Sequence, residues 1–185
     1  PKQVNTRHNQ AFVSTSSASN LKIPNNTIDY IFIDPPFGQN LIYSELNFLW
    51  EAWLNVKTDV KEESIIDDYR NKSINTYQNA MTNGFQELYR VLKPSQWITI
   101  EFHNSQNSVW MTIQEALQAV GFVVADVRVI DKKQGSHKQN VAVGAVKKDL
   151  VISAYKPNND FQKQFELLAG TEEACWEFIR THLQQ

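Results

Sequence analysis

Short apolar runs alternate along this chain with longer segments of helical periodicity, and the two kinds of pattern predict an α/β order. Residues Ala11 to Ser16 and Tyr30 to Asp34 read as strands, separated by a polar loop that ends in Pro24-Asn25-Asn26. Leu46, Leu49, Trp50, Trp53 and Leu54 recur at i, i+3, i+4, i+7 and i+8, the spacing of one helix face, and core packing is the expected use of that face. Residues 55 to 71 are charged and have no period. A second helix carries Ile74, Tyr77, Met81, Phe85, Leu88 and Leu92 and stops at Lys93-Pro94, since proline disfavours a helical residue before it. Trp97 to Phe102 is the next strand. Val109, Ile113, Ala116, Leu117 and Val120 mark a helix closed by Gly121. Phe122 to Ile130 and Val146 to Tyr155 then read as two strands with no helix between them, which predicts an antiparallel pair.

The tail has a different texture. Phe161, Phe165 and Leu168 precede Gly170-Thr171-Glu172-Glu173, a helix stop followed by an N-cap with acids in the first turn, and Phe178, Ile179 and Leu183 follow. The division expected is residues 1–157 as one α/β unit and residues 158–185 as a helical extension.

Composition adds bounds. With 185 residues, 42% of them hydrophobic, the chain can build one α/β domain with its own core. The single cysteine, Cys175, excludes a disulfide framework, and no apolar run reaches the length of a membrane span, so a soluble, cytoplasmic protein is expected. A net charge of −2 does not mark a nucleic-acid binder as a whole, so such contacts would come from a local patch. Lys132, Lys133, His137 and Lys138 around Gly135 form one, next to the predicted hairpin. Histidines such as His103 and His182 lack partners at ligand spacing, so no metal site is expected.

The densest chemical signal is Asp34-Pro35-Pro36-Phe37, which follows Ile28-Asp29-Tyr30-Ile31-Phe32-Ile33 without a spacer. Prolines stop the ladder and hold a rigid turn, so a carboxylate, free carbonyls and an aromatic face are presented at a strand's carboxyl end, where open α/β sheets bind ligands. This tetrapeptide resembles the D-P-P-[YF] motif of S-adenosylmethionine-dependent methyltransferases that modify exocyclic amino groups of nucleic-acid bases. Three further stretches carry the resemblance: Ser19 to Asp29 as the loop before the motif, Tyr43 to Leu54 as the helix after it in bacterial DNA adenine methylases, and Tyr89-Arg90-Val91-Leu92-Lys93-Pro94 as the approach to the fifth strand. Together they reach from about residue 14 to residue 157.

The resemblance implies a partial doubly wound, Rossmann-like methyltransferase sheet ending in an antiparallel hairpin. It implies S-adenosyl-L-methionine as cofactor, DNA as partner, and methyl transfer to adenine or cytosine of the kind found in restriction-modification. Asp34, Pro35, Pro36 and Phe37 are then the catalytic residues. The Asp34 carboxylate and the Pro35 carbonyl accept hydrogen bonds from the target amine and aim it in line with the methyl carbon, while Phe37 stacks on the extruded base. Methylation at a ring carbon would need a thiol nucleophile, and Cys175 between Ala174 and Trp176 does not suit that role. In related enzymes an acid after the third strand contacts the cofactor adenine. Ser17 and Ala18 occupy that place here.

Besides that missing acid, the sequence departs from the family pattern in its glycines. Its six glycines, at 38, 84, 121, 135, 144 and 170, include no Gly-x-Gly turn for the cofactor. The expectation is therefore a catalytic-half fragment whose cofactor wall lies upstream, with weak cofactor binding and no activity in isolation. A homodimer would cover the apolar strand around Ile31 unless residues Ala11 to Ser16 do so. RNA guanine methylation, or a module that has lost catalysis and keeps a nucleic-acid or protein contact, are the alternatives.

Overall fold

A computed structural model of the chain describes residues 11–14, 16–39, 41–103, 107–131, 148–158, 167–168 and 170–183. Four strands form one sheet in the order β1-β2-β4-β3: β1 is Ile28–Ile33, β2 Leu92–Phe102, β3 Val123–Asp131 and β4 Lys148–Tyr155. β1 and β2 are parallel, and β2–β4 and β4–β3 are antiparallel. This is the expected α/β sheet with its closing antiparallel hairpin.

Helices α2 (Ile74–Val91) and α3 (Asn107–Val120) supply the core on one face of the sheet. Tyr77, Met81 and Phe85 of α2 and Val109, Ile113 and Leu117 of α3 bury against Ile31, Ile98, Ile100, Phe102, Ile152 and Ala154. Burying a side chain of this kind is worth about 1.5–3 kcal/mol. Ser73 caps α2 by accepting from the Thr76 amide at 3.3 Å. Gly121, at φ +103°, ends α3 in a conformation that costs glycine little.

The other end of α2 is held by a buried cation. The Lys156 ammonium donates to the Tyr89 carbonyl at 2.8 Å, the Leu92 carbonyl at 2.9 Å and Asn26 Oδ1 at 2.7 Å. All three of its hydrogens are used, two of them on carbonyls at or just past a helix C-terminus, where positive charge is favoured.

On the opposite face, Tyr155 is fully buried beneath α4 (Glu172–Leu183), with the His182 ring 5.8 Å away and Trp97 packed beside it at 5.3 Å. Thr171 caps α4 through the Ala174 amide, as its sequence predicts. The rest of this face is open near β1: Tyr30 and Phe32 are more than half exposed.

Two expectations are corrected. Residues 11–14 and 16 form no strand, and Phe12 and Val13 are almost fully exposed, because their side chains meet no partner surface. Among the described residues β1 is therefore paired on one side only. Helix α1 (Tyr43–Leu54) forms where predicted but buries none of its residues, and Trp50 and Trp53 are 67% and 83% exposed. Its contacts are polar, through Ser44 and Glu45 in its first turn and Glu51 near its end, and no described element lies against its apolar stripe.

Candidate functional site

β1 and β2 run in parallel with Ile33 opposite Ile100, so Asp34 leaves the sheet level with Glu101, and the Pro-Pro turn carries Phe37 across toward the end of β2. There the Phe37 ring meets Phe102 edge-on at 5.7 Å and His103 at 5.8 Å. Asp34 is exposed and Pro35 buried, while Pro36 and Phe37 are half-buried. The four residues therefore sit together at the carboxyl end of parallel strands.

The turn is fixed from below. Tyr77, fully buried in α2, donates its phenol hydrogen to the Pro36 carbonyl at 2.6 Å. Burial pushes the Tyr77 hydroxyl well above its ordinary value, so it stays a donor throughout the physiological range. The Pro36 oxygen is committed, whereas among the described residues the Pro35 carbonyl receives no hydrogen bond.

The segment beyond the turn folds back on itself. Gly38 is bridged to Ile65, and the Ile66 amide donates to the Gly38 carbonyl at 3.4 Å. Glu63 accepts from the Ser44 amide at 2.9 Å and its hydroxyl at 2.6 Å, capping α1 from outside the helix. The charged stretch without a period is thus the clamp that places α1 beside the motif. Tyr43, at the start of α1, lies close enough to Asp34 that its hydroxyl is raised first by burial and then by the Asp34 charge.

Ser17 and Ala18 line a hollow of about 700 Å³ together with Tyr43, Ile65, Asn79 and Gly84. The hollow runs from the loop that precedes β1 to Tyr43, the residue whose titration senses Asp34. Lys132, Lys133, His137 and Lys138 lie outside the described residues. Among the described residues no group of three histidines, cysteines or acids is placed to hold a metal.

Tyr43 lies near Asp34, Tyr77 holds Pro36, and Asp149 is hydrogen-bonded to His103 beside Phe37, and periodicity reveals none of these contacts. Tyr77 sits on the apolar stripe of α2 and reads as core. Asp149 stands at the head of the apolar run Leu150-Val151-Ile152, and an acid at the start of a buried strand is the one signal that marks it.

The family model for DNA methylases matches residues 28–174 of the chain. No curated protein matches it in sequence. Among solved structures, a candidate DNA modification methylase of Thermus thermophilus complexed with S-adenosyl-L-methionine is similar at 13% identity and a TM-score of 0.47, over 80% of this chain and 59% of that one. The PvuII DNA methyltransferase, specific for cytosine N4, is similar at 13% identity and a TM-score of 0.46, over 80% of this chain and 49% of that one. The chain thus spans about half to three-fifths of the length of these two proteins.

Proposed function

The chain belongs to the DNA methylase family, and from that premise we propose that it methylates an exocyclic amino group in DNA, that of adenine, with S-adenosyl-L-methionine as methyl donor. The observation that carries this reading is the Asp34-Pro35-Pro36-Phe37 turn at the carboxyl end of β1, with its Pro36 carbonyl tied to Tyr77 and its Pro35 carbonyl left to accept.

An amine conjugated to a purine ring is a weak nucleophile because its lone pair is delocalised. The Asp34 carboxylate and the Pro35 carbonyl accept its two hydrogens and favour the pyramidal nitrogen that attack requires. They are set before the base arrives, so the gain is orientation and preorganised electrostatics. The base must leave the duplex to reach them, and Phe37 is the face on which it stacks, a contact worth about 1–3 kcal/mol. On this reading Lys132, Lys133, His137 and Lys138 supply the positive charge for the DNA phosphates.

The methyl donor supplies an electrophilic methyl carbon on a sulfonium. The residues of this chain fit part of it: the Ser17 hydroxyl and the Asn79 amide, along a hollow that reaches Tyr43, offer the polar partners a nucleoside takes. The glycine turn expected for the rest of the cofactor is not in these 185 residues, and the isolated chain binds the cofactor weakly on this reading.

The test is product analysis. The complete protein, incubated with S-adenosylmethionine labelled in its methyl group and unmethylated DNA, should yield N6-methyladenine on hydrolysis, and Asp34→Ala should lower the rate by about 10²-fold or more. N4-methylcytosine would overturn the choice of adenine. Label in RNA guanine would overturn DNA as substrate, and an Asp34→Ala protein with the wild-type rate would overturn the mechanism.

A further inference from the structure

Beside the motif stands a histidine–carboxylate pair that the orientation mechanism leaves unused. His103 is the first residue past β2, and its Nδ1 is hydrogen-bonded to Oδ1 of Asp149. The contact follows from register: Phe102 lies opposite Leu150 in the antiparallel β2–β4 ladder, so the next pair outward is His103 and Asp149. The Asp149 side chain is 1% exposed and that of His103 20%. Burying a carboxylate at the head of an apolar strand is costly unless a donor meets it, and a hydrophobic residue at this position would pack without that penalty. Local rules of this kind are broken chiefly at functional sites.

The geometry also fixes the chemistry of the ring. An ionised carboxylate only accepts, so the proton of neutral His103 resides on Nδ1 and Nε2 carries the lone pair. The ring bearing that lone pair packs 5.8 Å from Phe37, at the strand end that bears Asp34.

Resting on the methyl-transfer reading above, we infer that His103, aligned by Asp149, is the base that takes the proton released when the target amine is methylated. The amine nitrogen forms its bond to the methyl carbon as the carbon–sulfur bond breaks, with sulfur keeping that electron pair. The nitrogen is left cationic and bearing two hydrogens. One proton passes to Nε2 of His103, the nitrogen–hydrogen electrons returning to the amine as its lone pair. The imidazolium is held by the Asp149 carboxylate until it gives its proton to water. Asp34 and Pro35 thereby remain acceptors that orient, and the proton has its own route out.

By register the ionisable neighbours of this pair are Glu101, two residues back on β2, Asp34 at the end of β1, Lys148 next to Asp149 on β4, and Arg128 and Asp131 on the adjoining β3. α3, which begins four residues after His103, has no titratable side chain from Asn107 to Gln114.

The experiment is single-turnover methylation by the complete protein across pH 5 to 9, comparing wild type with His103→Ala, His103→Gln and Asp149→Asn. Cofactor and DNA affinities and thermal melting are measured alongside. His103→Ala and His103→Gln should lose about 10²-fold in rate, the lower end of what a positioned base contributes, with little change in either affinity. They should also lose the fall in rate on the acid side, and added imidazole should restore part of the rate to His103→Ala. Asp149→Asn should move that acid limb to lower pH, because the imidazolium loses its counter-charge. Wild-type rate and an unchanged acid limb in folded His103→Gln, while Asp34→Ala is inactive, would overturn the inference and leave methyl transfer standing. If wild type methylates no nucleic acid, or Asp34→Ala is fully active, the underlying reading fails instead.

Discussion

Tyr77 shows how one side chain serves core and site together. Its ring fills the space between α2 and the sheet, and its hydroxyl, which would otherwise be a buried donor without a partner, holds the Pro36 carbonyl. Removing only that oxygen isolates the second role. Tyr77→Phe leaves the half-buried carbonyl without its donor, at a cost of about 1 kcal/mol. The melting temperature should fall by several degrees, and the methylation rate should fall further than cofactor affinity does, because the turn that sets Asp34 and Pro35 has lost its tether. Equal kinetics in the two proteins would show that the prolines alone fix the turn. Residue patterning marks Tyr77 as apolar, and its ring is buried accordingly. Its hydrogen bond joins residues 41 apart in the chain, and no local period encodes that pairing.

Among the elements, α2 is the one that ties the most parts of the chain together. Near its C-terminus Glu87 accepts from Arg90 Nε at 2.8 Å and from the Leu21 amide at 2.9 Å, fastening the loop that carries Ser17 and Ala18 to the helix. The Arg90 hydrogen bond, and then that of Leu21, lower the Glu87 carboxyl from 4.5 to about 2. The folded value lies below the ordinary one, so the contribution to stability is complete above about pH 4.5 and is lost as pH falls toward 2. Urea unfolding between pH 7 and pH 3 should therefore show a decline that is shallower in Glu87→Gln, and parallel curves would mean that Glu87 takes no part. α1 makes the contrasting case. Its stripe of Leu46, Leu49, Trp50 and Trp53 is a sound helix signal, yet the periodicity that located the helix said nothing about whether a partner would cover it.

At the scale of the whole molecule the sheet has two edges: β2 and β4 are paired on both sides, while β1 and β3 are each paired on one side only among the described residues, and beside the β1 edge Tyr30 and Phe32 are exposed. An apolar strand in that state invites pairing. The 185-residue chain should self-associate, and light scattering should give a mass above that of the 21.3 kDa monomer that rises with concentration. Tyr30→Lys with Phe32→Lys should reduce it by placing charge beside the edge. A monomer at every concentration would count against an available edge.

Much of this architecture is local physics. Hydrophobic period set the position of α1, α2 and α3, Gly121 and Thr171 marked a helix end and a cap, and two strands without a helix between them had to be antiparallel. The Asp34-Pro35-Pro36-Phe37 turn was equally legible, because prolines act on their own neighbours in the chain. The tertiary structure decided what depends on distant partners. It brought His103 to Asp149 through a register no single strand specifies, aimed Tyr77 at Pro36, and turned the aperiodic residues 55–71 into the clamp on α1 through Glu63. It also withheld a strand from residues 11–14 and 16. A strand is stable only when its backbone hydrogen bonds are met by another, and that partner is supplied by the fold.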